Sequence, residues 1–257
     1  MSVLDSIIEG VREDLAQRRL PMGALQEAME VAPSVRDALP ELLTQEISII
    51  AEVKRSSPSK GALAQITDPA GLAQQYQVAG AAVVSVLTEQ RRFGGTLADL
   101  DAVRKSIELP ILRKDFMIDE YQLYESRAHG ADVVLLIVAA LSRNQLADYF
   151  HLSTELGMRA LIEIHTPDEL ERALAISPEI IGVNSRNLKS LVVDTLAFSQ
   201  LIPQIPLHIA RVAESGISTR ADVESAQNCG ATAILVGEAL VRAATPSVAI
   251  KQLLGRL

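Results

Sequence analysis

The chain has 257 residues, of which 48% are hydrophobic and 22% charged, enough to bury a sizeable core. A net charge of −8, a pI near 5.1 and an aromatic content of 3% argue against a nucleic-acid binder, which needs clustered Lys and Arg and surfaces for base stacking. A single cysteine, Cys229, excludes an intrachain disulfide and a CxxC metal site, and the four histidines stand at no ligand-like spacing.

Met1 to Arg19 alternates apolar and charged residues, unlike the continuous apolar stretch of a signal peptide. Leu4, Ile7, Ile8, Val11 and Leu15 recur at helical spacing and predict an amphipathic helix. This helix is expected to pack over one end of the fold, either as a cap or as a wall of the active-site mouth. A second helix is expected near Val35–Leu43. Eight short β-branched runs follow: Ile49–Val53, Val83–Leu87, Pro110–Leu112, Val133–Val138, Ala160–Ile164, Ile180–Val183, His208–Val212 and Ala233–Val236. Most are continuously apolar, as strands buried on both faces of a parallel sheet must be. The longest apolar stretch, Val133 to Leu141, is far short of the ~20 residues of a membrane helix, so a cytoplasmic protein without a membrane partner is expected.

Helical stretches separate the runs, and Gly80, Gly130, Gly157 and Gly230 mark helix ends just before strands. No linker divides the chain, and no GxGxxG follows the first run, which disfavours an open nucleotide-binding sheet. The expected fold is therefore α/β: a single (β/α)₈ TIM barrel spanning residues 1–257, with residues 1–48 as an N-terminal helical extension.

In such a barrel the C-terminal strand ends share one mouth, so polar residues there are informative. Glu52 and Lys54 lie two apart on the first run and share a side. Arg113-Lys114-Asp115 ends the third run, Glu163 interrupts Leu-Ile-Glu-Ile, and Asn184-Ser185-Arg186 ends the sixth. Glu214-Ser215-Gly216 ends the seventh and Gly237-Glu238 the eighth. A charge among apolar neighbours costs several kcal/mol unless paired, so Lys114 and Glu163 point to acid–base chemistry rather than packing. Glycines after the last two strands, with a short helix behind Gly237, form a nest for a substrate phosphate. No metal-ligand cluster stands out, so a barrel working without a metal is expected.

Seven motifs in register resemble the indole-3-glycerol phosphate synthase family. They are Ile49-Ile-Ala-Glu-Val-Lys-Arg-Ser-Ser-Pro-Ser-Lys-Gly61; Leu87-Thr-Glu with Phe93-Gly-Gly-Thr96; Leu112-Arg-Lys-Asp-Phe116; Leu161-Ile-Glu-Ile164; Gly182-Val-Asn-Ser-Arg-Asn-Leu188; Ala213-Glu-Ser-Gly-Ile217; and Leu235-Val-Gly-Glu238. The resemblance covers essentially the whole chain. Thr96, Asn187 and Glu238 depart from the common pattern, and no catalytic position is lost. The resemblance implies a cofactor-free conversion of 1-(2-carboxyphenylamino)-1-deoxyribulose 5-phosphate to indole-3-glycerol phosphate, with release of CO₂ and water, in tryptophan biosynthesis.

By that resemblance Lys114 is the general acid of ring closure, Glu163 the base of dehydration and Lys54 its acid partner. The resemblance leaves open whether the two lysines exchange steps. Glu52 and Asn184 are implied to orient the lysines and bind substrate hydroxyls, and Arg186 to support the carboxylates or an anionic end of the substrate. Ser57 is implied to meet the anthranilate carboxylate, while Phe93, Phe116, Leu135 and Leu188 wall the aromatic ring. Backbone N–H groups of Ser215, Gly216, Gly237 and Glu238 are implied to hold the phosphate, with help from Lys54. Whether another enzyme of the tryptophan pathway takes the product directly stays open. Phosphoribosylanthranilate isomerase would need a Cys–Asp pair and a ribulose-phosphate epimerase a metal cluster. A non-catalytic scaffold would not need Glu163 and both lysines.

Overall fold

Alternation along each strand decides the architecture. The structure, a computed structural model, describes residues 2–257, so the expectation for Met1 lies outside the described residues. The strands are Ser48–Val53 (β1), Val83–Leu87 (β2), Ile111–Lys114 (β3), Val133–Ile137 (β4), Arg159–Ile164 (β5), Ile180–Asn184 (β6), Ala210–Glu214 (β7) and Ala233–Val236 (β8). Each pairs in parallel with its neighbour in sequence, and β8 pairs with β1, so the sheet closes into a barrel. Ile50, Val83, Leu112, Val133, Leu135, Leu161, Ile180, Val212 and Leu235 form one apolar cluster inside it. Their neighbours Ile49, Ala51, Val84, Val86, Val134, Ile162, Ile181, Ala213 and Ile234 belong to a second cluster, under the surrounding helices. This is the expected (β/α)₈ barrel.

Two strands lie further along the chain than their apolar runs. β3 was expected at Pro110–Leu112 and runs instead through Arg113 to Lys114; β7 was expected at His208–Val212 and runs to Glu214. The charged residues at the mouth belong to the strands, because each finds an opposite charge there. The helix-ending glycines behave as the sequence implies. Gly80, Gly130, Gly157 and Gly230 all have φ between +75° and +98°, the left-handed turn that releases a helix into the next strand.

The N-terminal extension touches both ends of the barrel. Helix α1, Val3–Arg18, is capped by Ser2 and Asp5 in a reciprocal box. Its Leu4, Ile7 and Val11 join the interior cluster beside Phe116, and Ile7 lines the mouth, so the helix is a wall of the site as well as a cap. Arg18 holds Glu125 with two hydrogen bonds of 2.9 and 3.1 Å, and Arg91 clamps Asp14 and Glu13. Helix α2, Met22–Val31, packs through Leu25 against Tyr121.

The helix expected near Val35–Leu43 is a single turn, Leu39–Leu42 (α3). Arg104 captures the Ser34 carbonyl, and the Arg36 N–H donates to Asp132 at 2.7 Å, so the backbone before that turn is bound to the barrel foot. Ala38 and Leu42, at the expected helical spacing, are buried in the interior cluster.

Asp132, fully buried, also accepts from the Ile111 N–H at 2.8 Å and pairs with Arg104 at 2.7 Å. Removing it strands a buried guanidinium. Asp132→Ala is expected to lower stability in urea unfolding by about 3–5 kcal/mol, while turnover at low temperature stays within a few-fold of wild type.

Candidate active site

Register brings the polar residues of the mouth together. Lys114 ends β3, Glu163 lies two residues beyond Leu161 on β5, and Glu214 two residues beyond Val212 on β7, all on the interior side. The Lys114 ammonium donates to Glu163 Oε2 at 2.8 Å and to Glu214 Oε2 at 3.0 Å. On β1, Glu52 Oε1 lies 2.6 Å from Lys54 Nζ, and Ser85 Oγ approaches the other Glu52 oxygen at 3.4 Å. Asn184 Oδ1 accepts from the Arg186 N–H at 2.9 Å. Arg113 projects to the other side of β3, where Asp115, Glu125, Thr88, Ser126 and the Gln122 carbonyl take its donors.

Three carboxylates thus face two ammonium groups in a setting almost closed to solvent. Glu163 and Glu214 have side chains only 3% and 2% exposed. Burial works against charge on Lys114, but Glu163, Glu214 and Glu52 outweigh it and hold the ammonium protonated beyond the usual lysine range. Burial pushes the Glu163 carboxyl up, yet the adjoining Lys114 prevails and leaves it below the usual carboxylate range. Glu214 goes the other way. Burial, reinforced by the charges of Glu163 and Glu52, exceeds the pull of Lys114 and raises its carboxyl to about 8. One proton therefore stays in this cluster at neutral pH.

A cavity of about 500 Å³ opens above the cluster. Every residue expected at the site lines it: Glu52, Lys54, Ser57, Phe93, Lys114, Phe116, Leu135, Glu163, Asn184, Arg186, Leu188, Ser215, Gly216, Gly237 and Glu238. Phe93 and Phe116 stand with ring centroids 6.1 Å apart, and Ile7 of α1 and Leu188 share the same apolar cluster. Glu89 holds the Phe93 loop by accepting the N–H groups of Arg91, Arg92 and Phe93. Ser57 sits on a two-residue antiparallel ladder with Gly61–Ala62, a feature not foreseen in the sequence.

At the opposite end, Ser215 and Gly216 both take left-handed φ values of +68° and +74°. For a serine that conformation is strained, as residues at functional turns often are. Glu238, beside Gly237, pairs with Arg242 Nη1 at 3.4 Å, so its charge is answered from the next turn of its own helix. Sequence reasoning placed Glu214 at a strand end but did not count it in the site; its interior parity with Val212 was the available signal. Ile7, Lys60 and Arg242 also line the cavity. Among the described residues no group of three or more His, Cys, Asp and Glu is arranged to hold a metal ion.

A parallel barrel with lysine–carboxylate pairs at its mouth and glycine turns after its last two strands defines a (β/α)₈-barrel acid–base enzyme. The family model described as indole-3-glycerol phosphate synthase matches residues 4–253. Indole-3-glycerol phosphate synthase of Rhodococcus jostii (strain RHA1) is 54% identical, over 98% of this chain and 95% of that protein. That of Micrococcus luteus is also 54% identical, over 98% and 96%, and indole-3-glycerol phosphate synthase 1 of Streptomyces coelicolor 52%, over 98% and 95%. The chain belongs to the indole-3-glycerol phosphate synthase family, and so is an enzyme, a lyase. Among solved structures a 3-hexulose-6-phosphate synthase superposes with a TM-score of 0.65 at 16% identity, covering 82% of this chain and 100% of that one. N-acetylmannosamine-6-phosphate 2-epimerase from Clostridium perfringens gives 0.61 at 16%, covering 88% and 98%. At such identities the likeness is one of fold. No helix among the described residues is long and apolar enough to cross a membrane.

The raised Glu214 carboxyl makes stability depend on pH. Between the unfolded value near 4.5 and the folded value of about 8, the native state binds the extra proton, so stability falls as pH rises through that window. Glu214→Gln, which stays neutral, is expected to flatten this fall. Its melting temperature relative to wild type should be several degrees higher at pH 8.5 than at pH 5; a constant difference would refute the assignment.

Proposed function

We infer that the chain carries out the reaction of its family: ring closure of 1-(2-carboxyphenylamino)-1-deoxyribulose 5-phosphate, followed by decarboxylation and dehydration to indole-3-glycerol phosphate. The observation that carries the reading is Lys114 held between Glu163 and Glu214 in a pocket that Phe93, Phe116, Leu135 and Leu188 also line. The substrate's aromatic ring lies among Phe93, Phe116, Leu135 and Leu188, with its carboxylate toward Ser57 and Arg186. Its phosphate rests on the Ser215–Gly216 and Gly237–Glu238 turns, near Lys54.

When the ring carbon attacks the ketone, Lys114 gives a proton to the developing alkoxide. The carboxylate then leaves as CO₂ and aromaticity returns. Loss of water needs an acid at the departing hydroxyl and a base at the adjacent carbon, roles taken by Lys54 and Glu163. Because a carboxylate is lost as neutral CO₂, each turnover consumes one proton from outside the substrate. Glu214, protonated to about pH 8, is a local reserve from which Lys114 is recharged. Glu52 and Asn184 hold Lys54 and Glu163 in place and meet substrate hydroxyls. The reading needs no cofactor, and it fits a cytoplasmic enzyme of tryptophan biosynthesis.

Incubating the purified chain, dialysed against a chelator, with the carboxyphenylamino-deoxyribulose phosphate should raise indole absorbance and fluorescence without any addition. Lys114→Ala and Glu163→Gln should lose about 10²-fold or more in kcat, the usual worth of a general acid or base, when assayed at a temperature where circular dichroism shows each variant folded. Near wild-type turnover in either variant removes the role assigned to it.

A further inference from the structure

Gly182 occupies the middle of β6, between Ile180 and Asn184 on the interior side of the barrel. A glycine inside a strand weakens it, so its presence there calls for a reason. Backbone conformation is not the reason, because Gly182 is not among the residues of positive φ. Space is. A Cβ at this position would stand 2.0 Å from Glu214 Oε1, 3.1 Å from the Glu214 carboxyl carbon and 2.9 Å from Leu161 Cδ2.

Register explains the encounter. Glu214 is paired with Asn184, one interior layer above Gly182, and Gly182 is level with Glu163. To reach Lys114, the Glu214 side chain folds back down the barrel wall and lies over the glycine. That posture puts Oε2 3.0 Å from Lys114 Nζ. It leaves Oε1 buried without a hydrogen-bond partner among the described residues.

We propose that Gly182 is a positioning residue of the reaction: its missing side chain is the socket in which the Glu214 carboxylate folds, and this sets the Lys114–Glu214 contact. The proposal rests on the reading that Lys114, Glu163 and Glu214 are the acid–base centre. It adds that the centre's geometry is fixed by an absence of atoms on a third strand.

The test is a set of substitutions in the full-length chain. Gly182→Ala is expected to lower kcat tenfold or more, with KM within about threefold. In a Glu214→Asp background, where the side chain is one methylene shorter and clears the socket, the same substitution should cost less than threefold. In a Leu161→Val background, which relieves only the leucine contact, the tenfold cost should persist. The Glu214→Asp background, which removes the 2.0 Å encounter, keeps the test available if Gly182→Ala alone does not fold. Equal costs in the Glu214 and Glu214→Asp backgrounds, or full recovery with Leu161→Val, would overturn the proposal. A readout free of turnover is the ¹³C carboxyl titration of Glu214, whose midpoint should move by one pH unit or more in Gly182→Ala. Superimposable titrations would overturn the socket, whereas a wild type inactive on the substrate would sink the functional reading and leave the titration to decide on Gly182.

Discussion

Three buried carboxylates share two ammonium groups, and the rest of the mouth is arranged around that imbalance. An isolated charge among Leu135, Leu161 and Leu235 would be driven to neutrality or would destabilise the fold. Here Lys114 keeps Glu163 ionised, and the excess negative charge is relieved by a proton on Glu214. The cluster consequently holds an ammonium, an ionised carboxylate and a protonated carboxyl, with Lys114 in hydrogen-bond reach of the other two. Burial sustains only the proton on Glu214; it opposes the charges on Lys114 and Glu163, which their mutual attraction maintains.

Closure of the barrel makes such a cluster possible. β3, β5 and β7 are not neighbours in the sheet, yet their interior residues converge because the strands ring a common axis. Parity then sorts charges. Arg113 and Lys114 are adjacent in sequence, but Lys114 faces the axis while Arg113 is fully buried behind the strand, with Asp115 and Glu125 on its guanidinium. Glu125 in turn binds Arg18, so α1 is fastened to the strand that carries Lys114 while its Ile7 walls the cavity. The extension is thereby part of the site, although none of its residues bears a charge in the acid–base cluster.

Most of this was legible in the sequence because apolar runs and mouth residues obey a simple periodicity. The runs located all eight strands, and Lys114 and Glu163 stood out as charges among apolar neighbours. The errors share one physical origin. Hydrophobicity stops counting a strand where its function begins, so β3 and β7 were cut short of Lys114 and Glu214. Helix α2 escaped notice because only Leu25 of its residues is buried, which leaves no apolar stripe to see. The helix expected near Val35–Leu43 is longer than α3, a single turn. Hydrogen bonds from Arg104 and to Asp132 hold that chain at the barrel foot, and tertiary bonding outweighs local periodicity there. Gly182 carried no signal of its own, since its meaning depends on a side chain thirty-two positions away (214 − 182).

The two ends of the barrel show how buried charges of similar cost serve different ends. At the foot, Asp132 is met by two backbone N–H groups and Arg104, so its carboxylate is fully enclosed by protein partners. Behind β3, Arg113 likewise spends its donors on five protein groups. Such charges are saturated, and a saturated charge can order a fold but has nothing left for a substrate. At the mouth, Glu214 lines the cavity, and its Oε1 is just as buried yet has no hydrogen-bond partner among the described residues. Leaving a buried oxygen unsatisfied costs roughly 1–3 kcal/mol, a cost that a purely structural carboxylate avoids, as Asp132 does. Among the buried side-chain atoms left without a partner in the described residues, Glu214 Oε1 is the one carboxylate oxygen, the others being arginine nitrogens. It belongs to the cluster that faces the substrate cavity.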